Sequence, residues 1–287
     1  MFLFKTVASL QSHLEKKGGL GSPIGFVPTM GALHDGHAAL IDHSIEEGYY
    51  TIVSIYVNPT QFNQSKDLEK YPRPIARDIE LLYDLGCDVL FLPGDDEIYP
   101  EGVKNIPNID LGHLNSTLEA AFRPGHFEGV LQVVHRLLEI VKPDYLFMGR
   151  KDLQQLTIIR QLISETGIAC QLVGMPIVRE PNGLARSSRN EQLSAENRKK
   201  ASLIYKTLKD TADHFHFLSI PELKKEAFNK LNQEPFRSEY FEFVRTDNLK
   251  ILQSKEEYAG SVSAVTAVWC DDTRLIDNLV VSLVHSY

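Results

Sequence analysis

Two histidines, His34 and His37, follow an apolar run in the stretch PTMGALHDGH, residues 28–37. Imidazole rings at this spacing can bind a metal, fill a core or donate hydrogen bonds to an anion. Zinc needs three or four ligands, and no cysteine or carboxylate nearby completes a known spacing. Gly31 and Gly36 let the backbone come close to a ligand. The stretch therefore favours a phosphate site over a metal site or a pair of surface histidines.

The segments around these histidines predict a parallel sheet. Residues 24–30 predict a strand, 36–48 a helix and 50–58 a second strand, which together form a βαβ unit. The predicted elements that follow are a helix at 74–86, a strand at 87–93, a helix at 126–143, a strand at 144–149, a helix at 151–167 and a strand at 168–179. Strands with so few polar residues are typical of a sheet covered by helices. We therefore predict an α/β fold, a Rossmann-like doubly wound parallel sheet.

The pattern changes from about residue 180. The stretch EPNGLARSSRN, residues 180–190, is polar and rich in turn residues, which predicts a hinge or a ligand loop. One helix is predicted at 194–215, and a second begins at Ser219, where Glu222 completes a capping-box spacing. The C-terminal segments YFEFVRTDNL, GSVSAVTAVWC and RLIDNLVVSLV alternate apolar with polar residues, which predicts β-strands. We predict two domains, a Rossmann-like domain at 1–178 and a smaller C-terminal α+β domain at 179–287.

Composition and charge limit the classes of function. The chain is 43% hydrophobic and 24% charged, and no apolar run approaches the roughly 20 residues that span a bilayer. The N-terminus lacks the continuous apolar core of a signal peptide. A formal net charge of -8 argues against broad nucleic-acid binding. We expect a cytoplasmic protein that binds small metabolites, with no membrane or nucleic-acid partner.

The histidine motif resembles the HIGH signature of the nucleotidyltransferase superfamily, which includes cytidylyltransferases and class I aminoacyl-tRNA synthetases. Together with PTMGALHDGHAALI, five further segments resemble the pantoate–β-alanine ligase family, and the resemblance covers residues 24–190. These segments are SIYVNPTQFN, KDLEKYPRP with a following Arg-Asp, RPGHFEGVLQVVHRLLEIVKPD, GRKDLQQLTIIRQL and GLARSSRN. The resemblance implies an ATP- and Mg²⁺-dependent homodimer that joins pantoate to β-alanine through pantoyl adenylate and releases AMP and pyrophosphate. It also implies that the domain at 1–178 binds ATP and pantoate and that the domain at 179–287 is a lid.

The chemistry of this reaction agrees with the residue types present. A carboxylate has a poor leaving group, and adenylation supplies a good one. Both steps build negative charge on phosphate oxygens, so fixed cations and N–H donors should carry catalysis. In an open parallel sheet these groups are expected beyond the carboxyl ends of the strands.

The resemblance also assigns roles to individual residues. It implies that His37, His34 and Lys151 are catalytic. The implied ATP-binding residues are Met30, Gly31, His34, His37, Gly149, Arg150, Lys151, Asp152, Val178, Arg186, Ser187, Ser188 and Arg189. The implied substrate-binding residues are Asn58, Gln61, Arg123 and Gln155. Arg150 and Arg186 depart from the family pattern, which more often has Glu or Gln at the first position and an apolar residue at the second. The sequence assigns no magnesium ligand.

Two other functions compete with the ligase hypothesis. A cytidylyl- or adenylyltransferase would share the histidine motif, release pyrophosphate and stop. Gln61 and Gln155 favour the ligase, because they form a polar pair suited to a second small substrate. A nucleotide-binding regulatory module could share the fold without turnover, since a fold does not determine function.

Overall fold

The structure, a computed structural model, describes residues 1–17, 21–63, 68–69, 71–102, 107–257 and 259–282. Lys66, Asp67 and Lys70 of the KDLEKYPRP segment lie outside these ranges.

The described residues fall into two compact units. Unit 1 comprises those within Met1–Asn115, Ala120–Arg150 and Ile158–Pro176, and unit 2 comprises Ser116–Glu119, Lys151–Thr157 and the described residues from Ile177 onward. Unit 2 thus takes in two short segments that the sequence prediction placed in the first domain, and the lid role of the C-terminal domain stays a prediction.

Unit 1 contains a six-stranded sheet in which all the paired strands are parallel. Its strands are β1 (Phe2–Phe4), β2 (Ile24–Thr29), β3 (Tyr50–Ile55), β4 (Val89–Phe91), β5 (Tyr145–Gly149) and β6 (Gln171–Met175), in the order β1-β4-β3-β2-β5-β6. The chain winds outward from β2 in one direction and returns to β5 on its other side. Ligands bind at such a reversal, beyond the carboxyl ends of the two strands. The predicted doubly wound sheet is confirmed.

Helices follow these strands along the chain. They are α1 (Val7–Lys17), α2 (Asp35–Glu46), α3 (Ile75–Asp84), α4 (Asp95–Ile98), α5 (Glu119–Phe122), α6 (His126–Val141) and α7 (Leu153–Thr166). Helix α2 packs against β2, β3 and β5, and α6 packs against β2 and α1. Val27, Ile41, Val53, Leu90 and Phe147 belong to one buried apolar cluster, which joins α2 to the sheet. This packing fixes the position at which α2 begins.

Unit 2 has its own core around a three-stranded antiparallel sheet. Its elements are α8 (Ala195–Lys200), α9 (Ser202–His214), α10 (Ile220–Leu231), β7 (Phe236–Arg245), β8 (Val262–Cys270) and β9 (Thr273–Ser282). Helix α9 packs against β9 and β8, and α10 packs against β7 and α9. The helix predicted at 194–215 is interrupted at Ala201, between α8 and α9. The capping box at Ser219 and Glu222 is present as predicted.

Within the described ranges, no helix combines the length and the apolar character that crossing a membrane requires.

Candidate active site

His34 and His37 form a reciprocal cap at the N-terminus of α2. His34 is the N-cap residue, and its Nδ1 accepts a hydrogen bond from the backbone N–H of Gly36 at 3.1 Å. His37 lies three residues later, and its Nδ1 accepts from the backbone N–H of His34 at 3.4 Å. The ring centroids are 4.1 Å apart. Two imidazoles therefore take the places that Ser or Thr and Glu or Gln occupy in an ordinary capping box.

This cap determines which ring nitrogen carries the proton. A neutral imidazole has one donor and one acceptor nitrogen, and Nδ1 is the acceptor in both rings. We infer that His34 and His37 carry their protons on Nε2. The N-terminus of α2 adds the positive end of the helix dipole and backbone N–H groups, a combination that attracts phosphate. The arrangement can donate two hydrogen bonds to a phosphate chain, and the phosphate site stays a prediction.

The loop between β2 and α2 is held by a buried carboxylate. Asp78, 1% exposed, accepts the backbone N–H of Ala32 at 2.9 Å through one oxygen and that of Leu33 at 2.8 Å through the other. Gly31 has a φ of +79°, and a β-carbon there would lie 3.0 Å from Asp78 Oδ2. Ala32 also has a positive φ, of 51°, which is uncommon for alanine. Asp78 thus fixes a loop conformation that the chain would not adopt unaided.

Just beyond β3 the chain forms a 3-10 turn, Pro59–Gln61. Asn58 caps the start of this turn, and Gln61 is its last residue. Asn58 is fully buried and donates from Nδ2 to Gln61 Oε1 at 3.3 Å. Gln61 in turn donates from Nε2 to the sulfur of Met30 at 2.9 Å. The structure therefore brings together Met30, predicted to bind ATP, and two residues predicted to bind pantoate.

Arg123 reaches the same turn through His126, the first residue of α6. The guanidinium Nη1 of Arg123 lies 3.0 Å from His126 Nε2, and His126 Nδ1 lies 2.8 Å from the carbonyl oxygen of Gln61. Arginine can only donate, so Nε2 accepts and Nδ1–H donates to Gln61. Gly129 allows this approach, because a β-carbon there would lie 2.5 Å from Thr60 O and 2.6 Å from Gln61 N. Helix α6 and the turn are in backbone contact.

Strand β5 ends at Gly149, and the chain continues as a 3-10 turn, Arg150–Asp152. Arg150 donates from Nε to the carbonyl oxygen of Gly174, at 2.8 Å, in unit 1. In unit 2, Lys151 Nζ lies 3.7 Å from Asp152 Oδ2. Asn278 on β9 donates from Nδ2 to the carbonyl oxygen of Lys151 at 3.0 Å. The backbone at Lys151 is therefore fixed by β9.

Three of the predicted phosphate ligands share one small cavity in unit 2. Lys151, Ser187 and Arg189 line it, together with Arg274 and Asp277 of β9. Ser187 caps the following 3-10 turn, Ser188–Gln192, by accepting from the backbone N–H of Arg189 at 3.3 Å. A lysine, an arginine and a hydroxyl that face one cavity can bind several phosphate oxygens.

Glu180 anchors the loop that carries these residues. Arg198 donates to it from Nη2 at 2.7 Å, Asn190 donates from Nδ2 at 3.0 Å, and Arg186 Nη1 lies 3.8 Å away. Burial raises the pKa of Glu180, but the hydrogen bonds from Arg198 and Asn190 outweigh it, so the net pKa lies below its ordinary value. Val178 closes the loop by accepting from the backbone N–H of Arg186 at 2.9 Å. Arg186 therefore lies beside a carboxylate that is ionised at neutral pH.

Comparison with known proteins agrees with this geometry. The model of the family Pantoate-beta-alanine ligase matches residues 2–280. The chain belongs to the pantoate–β-alanine ligase family. The pantothenate synthetase of Azobacteroides pseudotrichonymphae is 46% identical over 97% of this chain and 99% of its own length. The pantothenate synthetase of Coprothermobacter proteolyticus is 40% identical over 99% of this chain and 100% of its own length.

Solved structures support the same assignment. The crystal structure of pantothenate synthetase from Thermus thermophilus is 39% identical, with a TM-score of 0.90 over 98% of this chain and 99% of that one. The pantoate–β-alanine ligase of Francisella tularensis, crystallised with beta-gamma ATP and beta-alanine, is 35% identical, with a TM-score of 0.81 over 98% of each chain. The predicted activity, ligation of pantoate to β-alanine, is confirmed at the level of the family, and the two competing hypotheses are set aside.

Several residues of the ligase that support the site were not singled out from the sequence. They are Asp78, His126, Asn278 and Glu180, which hold the loops and turns that carry the predicted residues through buried or partly buried hydrogen bonds. The Arg-Asp pair at 77–78 was one of the motifs, but nothing in its spacing indicated that Asp78 binds the loop after β2. Of the adjacent glutamines, Gln154 is the buried one, and it bonds to Thr117 O at 3.0 Å. Gln155 is half-buried.

Proposed function

We propose that the ligase works in two steps, of which only the first consumes ATP. A carboxylate oxygen of pantoate attacks the α-phosphorus of ATP, the bond to pyrophosphate breaks, and pantoyl adenylate forms. The amine nitrogen of β-alanine then attacks the acyl carbon, the bond to AMP breaks, and the nitrogen releases a proton to solvent. The observation that carries this proposal is the pair of Nε2–H donors at the N-terminus of α2, which suit charge developing on phosphate oxygens.

Within unit 1, the proposal gives the nucleotide and the hydroxy acid separate groups of residues. The nucleotide contacts are Met30, Gly31, His34, His37, Gly149 and Arg150. The pantoate contacts are Asn58, Gln61 and Arg123, which the hydrogen bonds around the Pro59–Gln61 turn support.

Within unit 2, the proposal assigns Lys151 as the catalytic cation that neutralises phosphate charge. The other nucleotide contacts are Asp152, Val178, Arg186, Ser187, Ser188 and Arg189, and Gln155 contacts pantoate. The cavity that Lys151 shares with Ser187 and Arg189 supports this assignment.

Mg²⁺ is proposed to accompany the nucleotide. Among the described residues, no group of three or more His, Cys, Asp or Glu side chains could hold a metal ion. Mg²⁺ usually keeps several waters and binds substrate phosphates with one or two carboxylates, so it does not require such a group. Asp152, half-exposed beside Lys151, has the chemistry to contact it. The ion would neutralise phosphate charge.

Isotope exchange tests the order of the two steps. Labelled pyrophosphate should enter ATP in the presence of pantoate and Mg²⁺ without β-alanine, because the adenylate forms before the amine reacts. Exchange that requires β-alanine would contradict the two-step scheme. Omitting pantoate is the matched control and should abolish exchange, and CTP should not replace ATP.

We further propose that the ligase is a cytoplasmic homodimer. Sedimentation velocity at micromolar concentration should give twice the mass of one chain, and this mass should persist at 0.5 M salt, on the order of the ionic strength that screens surface charges within a few ångströms. A single species with the mass of one chain would contradict the dimer.

A further inference from the structure

The side-chain amide of Asn58 is oriented by groups on both of its ends. Its Oδ1 accepts from the hydroxyl of Tyr99 at 3.0 Å, from Thr60 Oγ1 at 3.1 Å and from Thr60 N at 3.4 Å. Its Nδ2 donates to Gly129 O at 3.0 Å and to Gln61 Oε1 at 3.3 Å. Rotating the amide by 180° would set its NH₂ group against Thr60 N–H and its oxygen against Gly129 O and Gln61 Oε1, and it would end donation from the Tyr99 and Thr60 hydroxyls. Because Asn58 is fully buried, water cannot compensate for that reversal.

The orientation of Asn58 determines which end of Gln61 is presented to a ligand. Gln61 Oε1 faces Asn58, so Gln61 Nε2 points the other way and donates to the Met30 sulfur. A thioether is a weak acceptor, so a substrate oxygen can replace it at little cost. Gln61 is thereby set to donate, which suits a carboxylate or hydroxyl oxygen of a hydroxy acid.

Tyr99 is the member of this network that comes from a different part of unit 1. It follows α4 directly, whereas Thr60 lies in the same turn as Asn58. Burial raises the pKa of the Tyr99 hydroxyl, so it stays protonated and remains a donor across the working range of pH. Asn58 Oδ1 accepts hydrogen bonds from Tyr99 and from Thr60. Of these two donor residues, Tyr99 lies outside the turn, so replacing it leaves the residues of the turn unchanged.

We propose that Tyr99 is a positioning residue for pantoate: through Asn58, its hydroxyl holds Gln61 with the amide N–H directed to the substrate. This inference rests on the proposed role of Gln61 in pantoate binding. No contact between Tyr99 and substrate is required. Its effect should therefore be confined to the substrate that Gln61 binds.

The test is a steady-state comparison of Tyr99→Phe with the wild-type enzyme. The Michaelis constant for pantoate should rise about 3- to 10-fold, the effect of losing one neutral hydrogen bond. The Michaelis constant for ATP should stay within about 2-fold, which is below the effect of one such bond. A folded Tyr99→Phe enzyme with an unchanged constant for pantoate, or with equal increases for both substrates, would overturn the proposal.

Tyr56→Phe is the matched control. Tyr56 packs edge-on against Tyr99, with ring centroids 6.4 Å apart, and donates its hydroxyl to Asp95 at 2.9 Å. The Tyr56→Phe variant, like Tyr99→Phe, loses one partly buried hydrogen bond, but the bond that it loses does not involve Asn58. Its constant for pantoate should match that of the wild type. An increase as large as that of Tyr99→Phe would show a general packing effect and overturn the proposal.

A double variant separates this inference from the role of Gln61 itself. Gln61→Met should raise the constant for pantoate, and adding Tyr99→Phe to it should raise that constant no further. A second full increase in the double variant would mean that Tyr99 acts by another route, which overturns the proposal alone. A Gln61→Met enzyme with the wild-type constant would instead overturn the assignment of Gln61, and with it this inference.

Asn58→Asp provides a variant that does not depend on Tyr99. A carboxylate oxygen would then replace Nδ2 opposite Gln61 Oε1, and two acceptors would face each other. The Gln61 amide should rotate and present its oxygen to the substrate. The constant for pantoate should therefore rise more than in Tyr99→Phe, and a smaller increase would contradict the orientation mechanism.

Discussion

Replacing His37 with alanine is expected to slow formation of pantoyl adenylate by about 100- to 1000-fold, the usual effect of removing one positioned donor to a developing oxyanion. The loss should appear in turnover, because the hydrogen bond from Nε2 strengthens as charge accumulates on phosphate. Single-turnover adenylation, with rapid quenching of enzyme in excess over ATP, measures it directly. His34→Ala should act similarly, with a larger effect on ATP binding.

His37 also caps α2, so its two roles must be separated. His37→Ala should lower the free energy of unfolding by about 1 kcal/mol through loss of the cap. His37→Gln keeps an acceptor for the His34 N–H, as in an ordinary capping box, and should recover most of that stability while adenylation stays at least about 10-fold slow. His43→Ala is the matched control, because His43 lies in the last turn of the same helix and packs edge-on against Phe147.

Two results would contradict this assignment. A folded His37→Ala enzyme that forms the adenylate at the wild-type rate would remove His37 from the phosphate site. Stoichiometric zinc in the wild-type protein, released by substitution of either histidine, would instead support the metal hypothesis that the motif raised.

Replacing Asp78 with alanine is expected to lower the free energy of unfolding by about 3 to 5 kcal/mol, because each of its oxygens bonds a backbone N–H and hydrogen bonds to a charged group contribute roughly 1.5–3 kcal/mol each. The two N–H groups would remain buried without an acceptor, and Ala32 would keep an uncommon φ without its anchor. Urea unfolding at neutral pH, followed by far-ultraviolet circular dichroism, measures the loss. Adenylation should fall as well, since the loop leads directly to His34.

Asp88→Ala is the matched control for Asp78. Asp88 also accepts a backbone N–H in unit 1, from Thr51 at 2.9 Å, and it is half-buried. Asp88→Ala should lower the free energy of unfolding by about 1.5 kcal/mol, the lower end of the range for one such bond, because Asp88 is only half-buried. If Asp78→Ala were no more destabilised than Asp88→Ala, the carboxylate would not be what holds the loop.

The elements flanking the histidines could be predicted because each carries a local signal. The strand predicted at 24–30 corresponds to β2, and the helix predicted at 36–48 corresponds to α2. The three-residue strand β1 has no such signal, since alternation cannot be recognised over so short a length. The interruption at Ala201 also has no signal in the sequence, because alanine is a good helix former. In the structure its dihedral angles remain close to helical.

The residues of the candidate site likewise fall into those that the sequence could locate and those that it could not. Gln61 and Lys151 could be placed shortly after predicted strands, where ligand-binding residues of a parallel sheet are expected, and their roles stay predictions. Asp78 and Tyr99 could not, since each acts on a loop tens of residues away in sequence through one or two hydrogen bonds. Such contacts depend on tertiary packing, which no local pattern encodes.

Gly129 has a consequence for how this enzyme can change over evolutionary time. Any side chain there would overlap the backbone of Thr60 and Gln61 by more than a rotamer change could relieve. We therefore expect substitutions to be rejected at this position, whereas buried apolar residues of α6 such as Val130 and Val133 can exchange with others of similar size. The close approach of α6 to the turn that carries Gln61 therefore depends on glycine at this one position.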